Sequence, residues 1–226
     1  MSKKLHIFKN EDKDTGNWVE SWDKPKNRNV AQFPHPFRLC VNGSVSRGKT
    51  NFCKNVLVES QKLNKKFKRL IVITCSADSN EWLDCDPYLI SDEIPDMSIF
   101  DDNKIKTLIV IDDYDFSGVS KAELKQISKL FRYYSSHKNI SIICSYQSFF
   151  HIPKIIRKCC NIFTIFKPNS RQELTMISNR VGVDEEKLKN YFKKGGVASG
   201  RYDSITIDHT IDSRAFIRKN LYEILE

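Results

Sequence analysis

The run Gly43-Ser44-Val45-Ser46-Arg47-Gly48-Lys49-Thr50 sets two glycines, a lysine and a hydroxyl at the spacing GxxxxGK[ST], the spacing of a phosphate-binding loop. Gly43 and Gly48 permit backbone angles and a close approach that a Cβ forbids. Successive N–H groups and the start of a following helix would then surround a phosphate. Lys49 would reach the β and γ phosphates, and the Thr50 hydroxyl would ligate Mg²⁺. A second run, Leu108-Ile109-Val110-Ile111-Asp112-Asp113, is apolar and ends in two carboxylates. Delivered beside Thr50, Asp112 holds Mg²⁺ directly or through water, and Asp113 polarises an attacking water. A third run, Ile140-Ser141-Ile142-Ile143-Cys144-Ser145-Tyr146, ends at Gln147, whose amide can hydrogen-bond both a γ-phosphate and that water. The chemistry these residues suit is Mg²⁺-dependent hydrolysis of ATP. Standing alone, each run also reads as a strand followed by a Gly-rich, acidic or polar turn.

The elements that must position these groups are legible as periodicities. Short β-branched runs over 37–42, 69–75, 107–112, 140–146 and 162–166 read as buried strands. Apolar residues at three- and four-residue intervals mark helices over 48–63 and 121–137, the second carrying Leu124, Ile127, Leu130, Phe131 and Tyr134. Two short helices are expected over 171–181 and 184–192, then an edge strand over 204–209. Strands alternating with helices imply an α/β fold, a mainly parallel sheet flanked by helices. In such a sheet ligands gather at the carboxyl ends of the strands, where all three runs terminate. Residues 1–36 are polar, with scattered Trp and Pro, and read as an N-terminal arm. Residues 37–210 form the P-loop domain, and 211–226 are expected as a helical tail.

Taken together, the loop, the Asp-Asp strand and the segment from Asn139 through Gln147-Ser148-Phe149-Phe150-His151-Ile152-Pro153-Lys154-Ile155-Ile156-Arg157 resemble the viral genome-packaging ATPases of the FtsK/HerA superfamily. The likeness is to the poxvirus-type packaging ATPases of large DNA viruses, virophages and related elements, and spans about residues 37–170. It implies a RecA-like ASCE core, a homo-oligomeric ring of five or six subunits, and the pumping of double-stranded DNA into a preformed capsid. Capsid or portal vertex proteins are the implied partners, and the host cytoplasm, viral factory or virion the implied setting. Gln147 takes the place of the family's sensor glutamine. The chain departs from the pattern twice. Asp113 stands where Glu is frequent in the wider superfamily, and Ser136-His137 stand where many relatives carry Arg-His. A trans-acting arginine, if the ring uses one, falls to Arg157 or Arg132.

Composition bounds the rest. The chain of 226 residues is 40% hydrophobic and holds 14 Phe, enough to build an interior. Its net charge of +9 attracts polyanions. Two basic clusters could meet DNA, Lys193-Lys194-Gly195-Gly196 with Arg201, and Lys62, Lys65, Lys66, Lys68 with Arg69; both read equally as solvated surface. No base-reading motif is visible, so DNA binding is expected to be independent of sequence. Seven cysteines form no CxxC pair and read as reduced core thiols. No apolar run approaches the ~20 residues of a membrane span, so a soluble, intracellular protein is expected. Two other functions fit the motifs, a P-loop nucleoside or nucleotide kinase and a nucleotide-gated DNA-binding protein without motor activity.

Overall fold

The computed structural model describes residues 33–61, 67–210 and 216–225. In chain order the elements are β1 (Arg38–Asn42), α1 (Lys49–Gln61), β2 (Arg69–Thr74), β3 (Leu89–Ser91), β4 (Thr107–Asp112), α2 (Lys121–Lys129), α3 (Ser135–His137), β5 (Ile140–Tyr146), α4 (Lys154–Cys159), β6 (Ile162–Phe166), α5 (Arg171–Val181), α6 (Glu185–Phe192), β7 (Ser204–Asp208), β8 (Phe216–Lys219) and β9 (Glu223–Ile224). The strands join one sheet in the order β3-β2-β4-β5-β1-β6-β7-β8-β9. Neighbours from β3 to β6 pair in parallel, and β7, β8 and β9 continue the sheet antiparallel.

The central strands are apolar on both faces because both faces are covered. Leu39, Val41, Leu70, Val72, Leu108 and Val110 pack with Phe52, Val56 and Leu57 of α1. Their neighbours in sequence, Cys40, Ile71, Ile73, Ile109 and Ile111, join Ile127, Phe131, Ile177 and Leu188 on the opposite face. Strand residues alternate between faces with a period of two, so one short run feeds both cores. Helix ends are specified locally. Ser120 and Glu123 form a reciprocal capping box on α2, Asp184 caps α6, and Gly182 closes α5 at φ +63°.

Four expectations need correction. The described part of the expected helical tail over 211–226 is sheet: Phe216–Lys219 and Glu223–Ile224 are strands, and Ile207 pairs with Ile217 in the antiparallel ladder. A segment this short carries too few residues to separate a period of 3.6 from one of 2, so the open side of β7 decides it. For the same reason β7 is interior, between β6 and β8, rather than an edge. The helix over 121–137 winds as a π-turn at Leu130–Tyr134; the Ser135 N–H reaches back to the Leu130 carbonyl, and the Phe131 carbonyl accepts instead from Arg38 Nη1 at 3.0 Å. Finally, the end of the expected arm belongs to the fold. Phe33 is 1% exposed beneath the Arg218 guanidinium, 4.9 Å from its ring centroid, and His35 Nδ1 meets Ser141 Oγ at 2.7 Å. Residues 1–32, 62–66, 211–215 and 226 lie outside the described residues, and with them Lys62, Lys65, Lys66 and most of the arm. None of the helices among the described residues is long and apolar enough to cross a membrane.

Candidate active site

The loop Gly43–Thr50 leaves the end of β1 and turns into α1 along one rim of the sheet. Its first residue is pinned, since Gly43 N–H donates to the Tyr146 carbonyl of β5 at 3.1 Å. A Cβ at Gly43 would stand 2.6 Å from Cβ of Phe166 on β6, so the neighbouring strand requires glycine here. Ser46 and Gly48 adopt positive φ, 58° and 88°, which curl the chain before the Gly48 carbonyl accepts the first α1 bond from Phe52 N–H at 2.9 Å. Gly43→Ala is therefore expected to lower stability by about 1–3 kcal/mol, read as a drop in melting temperature, because β1 and β6 are held in register and neither can retreat. An unchanged melting temperature would contradict the packing.

Lys49 opens α1 with a side chain only 6% exposed. Its Nζ folds back toward the loop, 3.3 Å from the Ser44 carbonyl, and lies 3.7 Å from Asp113 Oδ2. That same carboxylate oxygen accepts from Gln147 Nε2 at 3.2 Å. Thr50 Oγ1 donates to Asp112 Oδ2 at 3.0 Å. The sheet order explains the convergence: β5 lies between β1 and β4, and all three run parallel, so Thr50, Gln147 and the Asp pair emerge side by side. Asp113 sits at φ 48°, an uncommon angle for a non-glycine residue. Its Oδ1 is buried without a hydrogen-bond partner, an acceptor left over for a proton or a water.

Burial pushes the Asp112 carboxyl above the usual carboxylate range; the hydrogen bonds from Thr50 and Trp82 oppose this, and the Asp113 charge adds to it. A cation would relieve that cost. Thr50 and Asp112 make a pair of hard oxygen ligands that suits Mg²⁺, which takes one or two protein oxygens and fills its remaining positions from phosphate and water. Among the described residues no cluster of three or more His, Cys, Asp or Glu forms a cage for a metal, and Mg²⁺ shared with a phosphate needs none. Without nucleotide or Mg²⁺, the raised carboxyl makes stability fall as pH rises from the unfolded value near 3.8 through the folded one. Asp112→Asn removes this loss. Above that window the variant should be more stable than the parent, and the difference should vanish below it, in denaturation at a series of pH values.

Two residues of the site were missed in the sequence. Trp82, in a 3₁₀ turn after β2, donates its indole N–H to Asp112 Oδ2 at 3.2 Å; being the one Trp beyond the arm was its signal. Glu173, at the start of α5 and 3% exposed, accepts from Phe149 N–H at 2.7 Å, Asn169 N–H at 3.2 Å and Asn42 Nδ2 at 3.4 Å. Ser44 of the loop bonds Asn169 in turn. Glu173 thus ties the P-loop strand to the segment after Gln147, and the pattern Ser170-x-x-Glu173 was its signal.

The remaining expected site residues divide. Val45, 65% exposed, sits on the outside of the loop, and Arg47 Nη1 donates to the Arg201 carbonyl at 3.4 Å. Arg157 is not among the contacts of the Lys49–Asp113 cluster. Its guanidinium stacks on Phe149, 5.4 Å from the ring centroid, and meets Met176 of α5. Arg132, on the π-turn, is exposed. Of the second basic cluster, Arg69 is turned into the fold, bonding the Ile99 carbonyl and stacking on Tyr88.

No protein-family model and no curated protein matches the sequence. Solved structures do. The genome packaging NTPase B204 from Sulfolobus turreted icosahedral virus 2, in complex with AMP, aligns at TM-score 0.60 over 84% of this chain and 98% of that chain, with 16% identity. B204 of Sulfolobus turreted icosahedral virus, described as a DNA-packaging ATPase, aligns at TM-score 0.58 over 81% and 97%, with 17% identity. ATPases 2 and 3 of EssC from Geobacillus thermodenitrificans align at TM-score 0.55 over 83% of this chain and 39% of that chain, with 10% identity. Identities this low speak to the fold alone: this chain shares the α/β fold of these ATPases, a mainly parallel sheet flanked by helices.

Proposed function

We propose that the chain hydrolyses ATP with Mg²⁺ and that, in a homo-oligomeric ring, this hydrolysis moves double-stranded DNA into a capsid. The observation that carries the reading is the meeting of Lys49 and Thr50 with Asp113, Asp112 and Gln147 at one rim of the sheet. Lys49 holds the β and γ phosphates, Asp113 accepts the proton of the attacking water, and Gln147 orients that water against the γ-phosphate. Mg²⁺, held by Thr50 and Asp112, supplies charge neutralisation of the phosphate oxygens. The solved B204 complexes contain AMP, ATP-gammaS and AMPPCP, which favours ATP as the substrate of this fold.

Movement requires the nucleotide site to reach a DNA-contacting loop. The segment between α6 and β7 carries Lys193, Lys194 and Arg201, and its Arg201 carbonyl is hydrogen-bonded by Arg47 of the phosphate loop. A change in that loop would therefore be felt in the basic segment. The test is ATP turnover with and without linear duplex DNA. Turnover should rise several-fold with long duplex, independent of its sequence, and the rise should fade with salt. Stimulation by nucleosides, with phosphate transferred to them, would instead establish a kinase. Turnover indifferent to DNA would overturn the motor reading.

A further inference from the structure

Where the start of α5 meets the end of α6, an open groove of about 340 Å³ lies on the surface. Its floor is apolar, made by Leu174 and Phe192 with Pro168 beside them. Its rim is cationic, carrying Lys167, Arg171, Lys189 and Lys193. Among the described residues no carboxylate lines it; Glu185 and Glu186 pair with Arg171 and Lys189 from outside, at 3.3 and 2.9 Å. Such a lining fits an apolar side chain flanked by carboxylates, because the floor takes the hydrophobic group and the rim takes its charges.

The chain itself carries that complement. Residues 75–103 hold nine acidic side chains and no Lys, Arg or His, in a chain whose net charge is +9, and all nine acids are exposed. Among them Leu83 is 57% exposed and Tyr88 68% exposed, with Glu81, Asp84 and Asp86 as neighbours in sequence. This segment is held in place. Trp82 takes the buried position of the 3₁₀ turn, and Leu83 is left outside. Lys54 Nζ fixes Asp84 at 2.8 Å, and the Arg69 guanidinium lies over the Tyr88 ring, 5.3 Å from its centroid. A surface already ordered loses little freedom on docking. The two surfaces cannot meet within one copy. Trp82 packs on the α1 side of the sheet, whereas Leu174 and Phe192 pack on the opposite side. β2, which leads into the acidic segment, stands four places from β6 in the sheet, roughly 19 Å at the usual strand spacing.

We infer that copies of this chain associate head to tail, with segment 81–88 of one copy seated in the α5–α6 groove of the next. Because the two surfaces lie on opposite faces, a single partner cannot engage both. The contact is therefore heterologous, and repeated it closes a ring or extends a filament. It uses no residue of the loop 43–50, nor Asp112, Asp113 or Gln147, and so stands whether or not the chain hydrolyses ATP. Sedimentation velocity of the full chain, without nucleotide or DNA, tests it. The parent should form assemblies larger than one copy at low salt, and added salt should dissociate them. Two double variants separate the surfaces: Leu83→Ser with Tyr88→Ser removes the apolar plug, and Lys167→Glu with Lys189→Glu reverses the rim. Each should weaken association by at least about tenfold and sediment as a monomer. Both should melt as the parent does, since all four side chains are exposed. Mixed together, the two variants should form a dimer and nothing larger, because one keeps only its groove and the other only its segment. A parent that stays monomeric at high concentration, variants that assemble as the parent does, or a mixture that stays monomeric would overturn the inference.

Discussion

Lys49→Ala should abolish measurable ATP turnover, a fall of at least about 10³-fold in kcat, roughly 4 kcal/mol of lost transition-state stabilisation. The magnitude follows from placement. The ammonium is 6% exposed, in a rim where few waters share its field, and charge at such a site is worth far more than in bulk water. It is also pre-aimed, held 3.3 Å from the Ser44 carbonyl within the loop that would wrap the phosphates. The substitution leaves the loop backbone and the α1 start intact, because those rest on Gly43, Gly48 and the Phe52 N–H bond, so the protein should fold. Single-turnover hydrolysis beside a melting curve checks both statements. Residual turnover within about tenfold of the parent would show that phosphate chemistry does not occur at this loop.

Asp113→Asn should lower hydrolysis by about 10²–10⁴-fold, the typical worth of a positioned general base, while ATP binding is unchanged or tighter. The sign of the binding effect is electrostatic. Asn keeps the hydrogen-bonding shape opposite Gln147 Nε2, now 3.2 Å from Asp113 Oδ2, but removes a negative charge from beside a polyanion. Lys49, 3.7 Å away, is then free of its competing partner and can spend its full charge on phosphate. Parallel measurement of ATP affinity and turnover tests this. A variant that retained full turnover would exclude Asp113 as the base, and one that kept every DNA-linked function would favour a nucleotide-gated binder over a motor.

The two expectations differ in what they demand of the geometry. The first needs only the loop, a local structure that eight consecutive residues encode. The second needs two strands, Thr107–Asp112 and Ile140–Tyr146, to lie in register, so that Asp112 pairs with Ser145 and Gln147 follows two residues beyond. That register is a property of the sheet. The alternation of strands and helices led to the expectation that strand ends gather at one rim, but not to this pairing.

Local chemistry therefore made much of this protein legible from its sequence. The GxxxxGK[ST] spacing, the apolar run ending in Asp112-Asp113 and the strand before Gln147 each depend on neighbours within a few residues. Their periods place strands and helices within a residue or two of those observed, as at Thr107–Asp112 and Arg171–Val181. What tertiary structure decided are the matters that depend on partners distant along the chain. Trp82 reaches Asp112 across 30 positions. Glu173 gathers Asn42, Phe149 and Asn169. Arg157 stacks on Phe149 and meets Met176, 19 positions away. Phe216–Lys219 and Glu223–Ile224 are the clearest case, because so short a segment has no decisive period of its own. The open side of Ser204–Asp208 supplied the hydrogen-bonding partners that made it sheet, and so brought Asn220 and Tyr222 beside Gly48.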